Sequence, residues 1–185
     1  MYTIFLDGKP GTRATGMGHS EFVDAFEDIC KGHVQEKRAR AFAFIFYNMN
    51  DGVIRNALKS ARGFEILNAQ TAHDLTLFYL HSNAIDSYAE NFNQKFMETL
   101  NISEQAAPPC IVFFRVNEEE IVDIAFESID DETTDEHLIV EELRRNIAKY
   151  IDGMNAEGNY TAITSVYGWI AKTAFTQGLR QLFRL

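Results

Sequence analysis

The sequence predicts an α/β domain with a mixed sheet, and three observations predict it. Two uninterrupted apolar runs of strand length, Ala41–Tyr47 and Leu75–Leu80, have the pattern of strands buried on both faces. Stretches whose apolar residues recur every three or four positions alternate with those runs, as amphipathic helices do. A later pair of runs, Cys110–Val116 and Ile121–Phe126, is separated only by a tight turn at Asn117-Glu118 and reads as an antiparallel hairpin. Alternation demands a parallel sheet with helices on both faces, and the hairpin adds antiparallel strands.

In chain order, Tyr2–Leu6 is rich in β-branched and aromatic residues and predicts a short first strand. The glycine-punctuated stretch from Asp7 to Gly18 follows as a loop. Its glycines match neither phosphate-binding spacing, so an ordinary surface loop is the reading. Ser20 caps a helical stripe of Val23, Phe26 and Ile29, with Cys30 beside it as core filler. After the central strand, Asn48-Met-Asn-Asp-Gly52 turns the chain into a helix carrying Val53, Ile54, Leu58 and Ala61 that falters near Gly63. The second buried strand precedes a helix with Ile85, Tyr88, Phe92, Phe96 and Leu100 on one face. Beyond the hairpin, Thr133 and Glu136 form a capping box for a helix bearing Leu138, Ile139, Leu143, Ile147 and Ile151. Ile163, Val166, Tyr167, Ile170 and Ala174 predict a further amphipathic helix.

Composition narrows the class of function. With 185 residues, 46% of them apolar, the chain can bury a substantial core as one domain. Two cysteines make no disulfide framework and fit a reducing compartment, so the cytoplasm is the expected location. A net charge of −10 opposes general nucleic-acid binding, because phosphates would be repelled. The charge is uneven. Residues 118–142 hold twelve acids and no Lys or Arg, including Glu118, Glu119, Glu120, Asp130, Asp131 and Glu132, whereas residues 161–185 hold Lys172, Arg180 and Arg184 and no acid. The five histidines lack metal-ligand spacing, and acids 130–136 suit the positive end of the following helix better than a calcium loop. No metal and no cofactor are expected. Neither a serine elbow nor an assignable triad points to a hydrolase.

At Pro109, directly before Cys110-Ile-Val-Phe-Phe, the strand and helix order resembles the thioredoxin-like superfamily, over about residues 2–152. The resemblance implies a cis peptide before Pro109, a thioredoxin-like domain at residues 1–154 and a C-terminal helical extension at 155–185. In that family a Cys-x-x-Cys pair sits at the helix N-terminus after the central strand, where the dipole lowers a thiol's pKa. Here that position reads Asn50-Asp51-Gly52-Val53-Ile54, with no sulfur.

The expectation is therefore a redox-inactive, non-catalytic module that binds a protein as an adaptor, chaperone-like subunit or immunity protein. The acidic stretch favours a basic partner, and the C-terminal helix offers a homodimer contact. Membrane attachment is disfavoured because the acidic body opposes the +3 of the tail at an anionic surface. The alternative is a single-thiol enzyme or sensor, or a small-molecule binder, built on Asn48, Asn50 and Asp51 beside Pro109 and Cys110. Polar residues at such a strand-to-helix turn are where these sheets place ligands.

Overall fold

A computed structural model describes residues 2–5, 28–29, 32–33, 35–36, 41–48, 50–71, 74–81, 93–94, 96–98, 102–117, 120–130, 132–157 and 173–174. Its sheet comprises β1 (Tyr2–Phe5), β2 (Ala41–Phe46), β3 (Leu75–His81), β4 (Cys110–Asn117), β5 (Glu120–Ser128) and β6 (Thr173–Ala174), in the spatial order β1-β3-β2-β4-β5-β6. β1, β3 and β2 run parallel, whereas β4 lies antiparallel to β2, β5 to β4 and β6 to β5. The sheet is mixed, as the sequence predicts, with Ala41–Phe46 as a central strand beside Leu75–His81. The continuous helices among the described residues are α1 (Gly52–Lys59), α2 (Ala61–Thr71) and α3 (Glu136–Glu157), and residues 28–29, 32–33, 35, 93–94 and 96–98 are helical as well.

Every residue of β2 is buried, because strands cover both of its edges and side chains both of its faces. Phe42, Phe44 and Phe46 share one face by the two-residue alternation of a strand. On it, the ring of Phe42 lies 5.7 Å from Phe114 of β4 and 6.3 Å from Phe78 of β3, and Phe96 meets Phe44 and Phe46 edge-on at 5.0 and 5.5 Å. These are favourable aromatic geometries, each adding about 0.5–1.5 kcal/mol beyond burial. The other face carries Ala41, Ala43 and Ile45, and there Phe113 stacks on Tyr150 of α3 at 4.3 Å while the Tyr79 hydroxyl donates to the Leu58 carbonyl of α1. The helical residues 93–94 and 96–98 thus lie on the phenylalanine face. So does helical His33, whose Nδ1 is 2.7 Å from the Thr76 hydroxyl, since Thr76 is registered with Phe42. Helices flank both faces.

Three local expectations need correction. The break between α1 and α2 falls at Ser60, not Gly63: the Ser60 hydroxyl donates to the Ala57 carbonyl and accepts from the Gly63 amide, so one side chain serves both helix ends. The cap of α3 is Asp135 rather than Thr133, because Asp135 Oδ1 accepts from the His137 amide at 2.8 Å and a carboxylate also complements the helix dipole. Within the segment expected to be a C-terminal helix, Thr173–Ala174 instead pairs with Glu120 and Ile121 of β5. Edge pairing outweighs weak helical spacing there. The remaining residues of that segment, and its proposed dimer contact, lie outside the described residues, as do Cys30 and the loop from Asp7 to Gly18. Among the described residues no helix is long and apolar enough to cross a membrane.

Gly63 is required by close packing of α2. A Cβ there would collide with the Ala57 carbonyl and approach the Ser60 hydroxyl at 2.8 Å and Val140 of α3 at 3.1 Å. Gly63→Ala should therefore lower stability by about 1–2 kcal/mol despite the better helix propensity of alanine. Gly52→Ala, with open space around it, should be neutral or slightly stabilising. Urea midpoints of the two variants check the contrast.

Candidate functional site

β2 ends at Phe46, whose partner in β4 is Cys110, so the turn after the central strand faces the chain that enters β4. The turn is held by its own polar atoms. Asn48 Oδ1 accepts from the Asn50 amide at 2.9 Å, and the Asp51 amide donates to the Asn48 carbonyl at 2.8 Å. Asp51 then caps α1, its Oδ1 accepting from the Val53 and Ile54 amides at 2.9 and 3.1 Å. Two of the donors that this helix N-terminus offers to an anion or thiolate, the Val53 and Ile54 amides, are engaged by the carboxylate.

The peptide bond between Pro108 and Pro109 is cis. The Pro109 carbonyl accepts from the Ile129 amide at 3.0 Å, which ties the entry of β4 to the exit of β5. Cys110 is fully buried. It shares the phenylalanine face with Phe46, and burial pushes its thiol up to about 12 from 9.0. A nucleophilic cysteine needs an electropositive, accessible setting that favours the thiolate. Cys110 has the opposite. The expected candidates thus divide: Asn48 stands at a groove described next, Asp51 is a cap, and Cys110 is core.

The groove, of about 420 Å³, lies beside the C-terminal end of β2. Asn48 and Pro108 line it, together with Asn93, Gln94 and Met97 from the helical stretch and Ser103 and Ala107 from the turn before β4. That turn is fixed by Ile102, which is fully buried and whose carbonyl accepts from the Gln105 and Ala106 amides at 2.9 and 2.8 Å. Asn50, Asp51, Pro109 and Cys110 do not line the groove.

Asn93 is the residue that sequence reading missed. It is only 4% exposed, and its Nδ2 donates to the Tyr47 carbonyl at 3.0 Å, just beyond the last paired residue of β2. Its Oδ1 is buried and has no hydrogen-bond partner among the described residues. Turning the amide over would set two carbonyl oxygens against each other, so the orientation is decided by Tyr47. Leaving such an acceptor unmet costs about 1–3 kcal/mol. Tyr47 itself is buried with its hydroxyl unpartnered among the described residues, and desolvation raises its pKa, so it stays protonated.

Of the expected acidic surface, Asp130 and Glu132 are exposed, the backbone of Glu120 opens β5, and Glu118, Glu119 and Asp131 lie outside the described residues. Asp130 Oδ1 accepts from the Glu132 amide, and the Glu142 carboxylate accepts from the Asp130 amide. Asp135, Glu136 and His137 continue this exposed surface into α3, where Leu138 is 55% exposed. Among the described residues no cluster of three His, Cys, Asp or Glu side chains is placed to hold a metal ion. Comparison with known proteins finds no matching family model, curated protein or solved structure.

Two outcomes follow from Cys110. At about pH 8 a thiol of pKa near 12 has roughly a thousandfold less thiolate than one near 9, so in a Cys30→Ser background a disulfide reagent should label Cys110 only after unfolding. The unfolded thiol ionises first as pH rises, so the stability gained by burying a neutral thiol is full below pH 9.0 and is lost from there toward about pH 12. Cys110→Val should make the alkaline decline of the urea midpoint shallower.

Proposed function

We propose that the chain is a thioredoxin-like protein-binding module without thiol–disulfide chemistry. The observation that carries the redox-inactive part is Asp51: its carboxylate caps α1 at the Val53 and Ile54 amides, at the helix start where members of that superfamily hold an activated sulfur. The strand order and directions support the same reading, with parallel β1, β3 and β2 followed by antiparallel β4 and β5. The burial of Cys110 removes the other sulfur near that position from reaction.

Binding is assigned to the exposed surface around the start of α3. Asp130, Glu132, Asp135 and Glu136 are all exposed beside Leu138. Carboxylates steer a basic partner and set orientation, while a projecting leucine supplies apolar area that carboxylates alone lack. A basic segment with an apolar face, in a protein partner, fits this chemistry. The single-thiol alternative is disfavoured by the fully enclosed sulfur.

An insulin-reduction assay should show no turnover. Turnover by the wild type that is lost in Cys110→Ser would overturn the redox-inactive reading. Capture of a partner should fall between about 50 mM and about 300 mM salt, fall again in Leu138→Lys, and persist in Cys110→Ser. Capture indifferent to salt and to Leu138→Lys would refute this surface.

A further inference from the structure

We propose that the partner of the Leu138 surface is a second copy of this chain, seated antiparallel on α3 across a twofold axis. The inference rests on the protein-binding reading of that surface and names its occupant.

α3 presents one continuous outward stripe. Ile139, Leu143, Ile147 and Tyr150 are buried, while Leu138, Glu141, Arg145, Ala148 and Asp152 recur three and four residues apart on the opposite side of the helix. Leu138 is the one large apolar side chain exposed among the described residues. Farther along the stripe, Glu141, Arg145, Ala148 and Lys149 line a groove of about 680 Å³ together with Gln70 of α2. Ala148 is the small residue of the stripe, so a projecting side chain finds room there. The charges of the stripe are incompletely matched within the chain. Glu141 Oε2 accepts from Arg144 Nε at 3.1 Å, and Lys149 pairs with Glu127 at 3.4 Å. Arg145, one turn beyond Glu141 on the same face and exposed, has no ion pair or hydrogen bond among the described residues.

The order of the charges decides the occupant. Two parallel copies in register would set Glu141 on Glu141 and Arg145 on Arg145, like against like. An antiparallel pair centred on position 143 reverses this: Leu138 meets Ala148, Glu141 meets Arg145 and Glu142 meets Arg144. Each pairing occurs twice, because a twofold interface is isologous. Lys149 comes beside Glu136 at the acidic start of the other copy's helix. Arg145 thereby gains a carboxylate, and Leu138 enters the groove at Ala148. The seam is one helix long and largely polar, so the association is weak and salt-dependent rather than obligate.

Sedimentation velocity of the full chain from about 1 μM to about 1 mM should show a monomer–dimer equilibrium that weakens between about 50 mM and about 300 mM salt. Glu141→Arg and Arg145→Glu each place like charges across the seam twice, so each should weaken self-association at least about tenfold. Both positions lie on the outer side of α3, and the circular dichroism of each variant should match the wild type. Mixing the two variants in equal amounts sets Arg against Arg nowhere and Glu against Glu nowhere, so the mixture should dimerise although neither variant does alone. Self-association unchanged by either reversal would place the contact elsewhere and overturn the proposal, as would loss in both variants without recovery in the mixture. A chain that stays monomeric to about 1 mM while Leu138-dependent capture of another protein persists would overturn the second copy as partner and leave the docking surface standing. Absence of both dimer and capture would refute the surface itself.

Discussion

The constraint on which the structure depends is the complete burial of β2. A strand with no exposed residue must have both rows of backbone groups paired, since an unmet buried amide or carbonyl costs as much as a lost hydrogen bond. β3 supplies one row in parallel and β4 the other antiparallel. That arrangement decides the rest: β3 needs a helical crossover to return parallel, while β4 and β5 can follow each other directly. The two faces of β2 then set what covers them. Phe42, Phe44 and Phe46 build a thick aromatic layer that Phe78, Phe96 and Phe114 extend, whereas Ala41 and Ala43 leave room on the opposite face for Phe113 and Tyr150 to stack. Large side chains on one side and small ones on the other keep both layers filled at native density.

The candidate site is a consequence of where that strand stops. Pairing with β4 ends at Phe46 and Cys110, so the Tyr47 carbonyl passes out of the ladder while still buried. It needs a donor from elsewhere. Asn93 provides it from the helical layer on the aromatic face, and this anchor holds Asn93, Gln94 and Met97 beside the turn at 103–108. The groove is the space left between them. On the other side of Asn48 the chain solves the corresponding problem at a helix start with Asp51, so the two ends of one turn are satisfied by two different polar side chains.

Those origins explain what could be read beforehand. Buried strands are legible because an unbroken apolar run of six or seven residues has few other homes, and the hairpin is legible because its turn is local. The N-terminal cap of α3 falls two residues beyond the one that spacing predicts, since Thr133, Asp135 and Glu136 all belong to one capping vocabulary and only geometry chooses among them. Thr173–Ala174 gave no strand signal at all, because two residues carry no period and their pairing with β5 is a tertiary event. Asn93 was hidden for a related reason. Beside Phe92 and Phe96 it reads as the polar side of an amphipathic helix, and its partner lies 46 positions earlier in the chain.

Side-chain chemistry is therefore reassigned by position rather than inherited from residue type. Cys110 carries the one described sulfur with nucleophilic potential, yet cross-strand pairing with Phe46 places it on the aromatic face, and there it contributes volume. Burial acts on its two states unequally: the neutral thiol packs as a small apolar group, while the thiolate loses its hydration and gains no cation. Asn93 follows the opposite course. Its residue type is ordinary on a helix surface, but enclosure makes one half of its amide a structural donor and leaves the other half an acceptor with high cost and fixed direction. An amide cannot escape that cost by ionising or by turning over, so the demand for a donor is built into the end of the central strand itself.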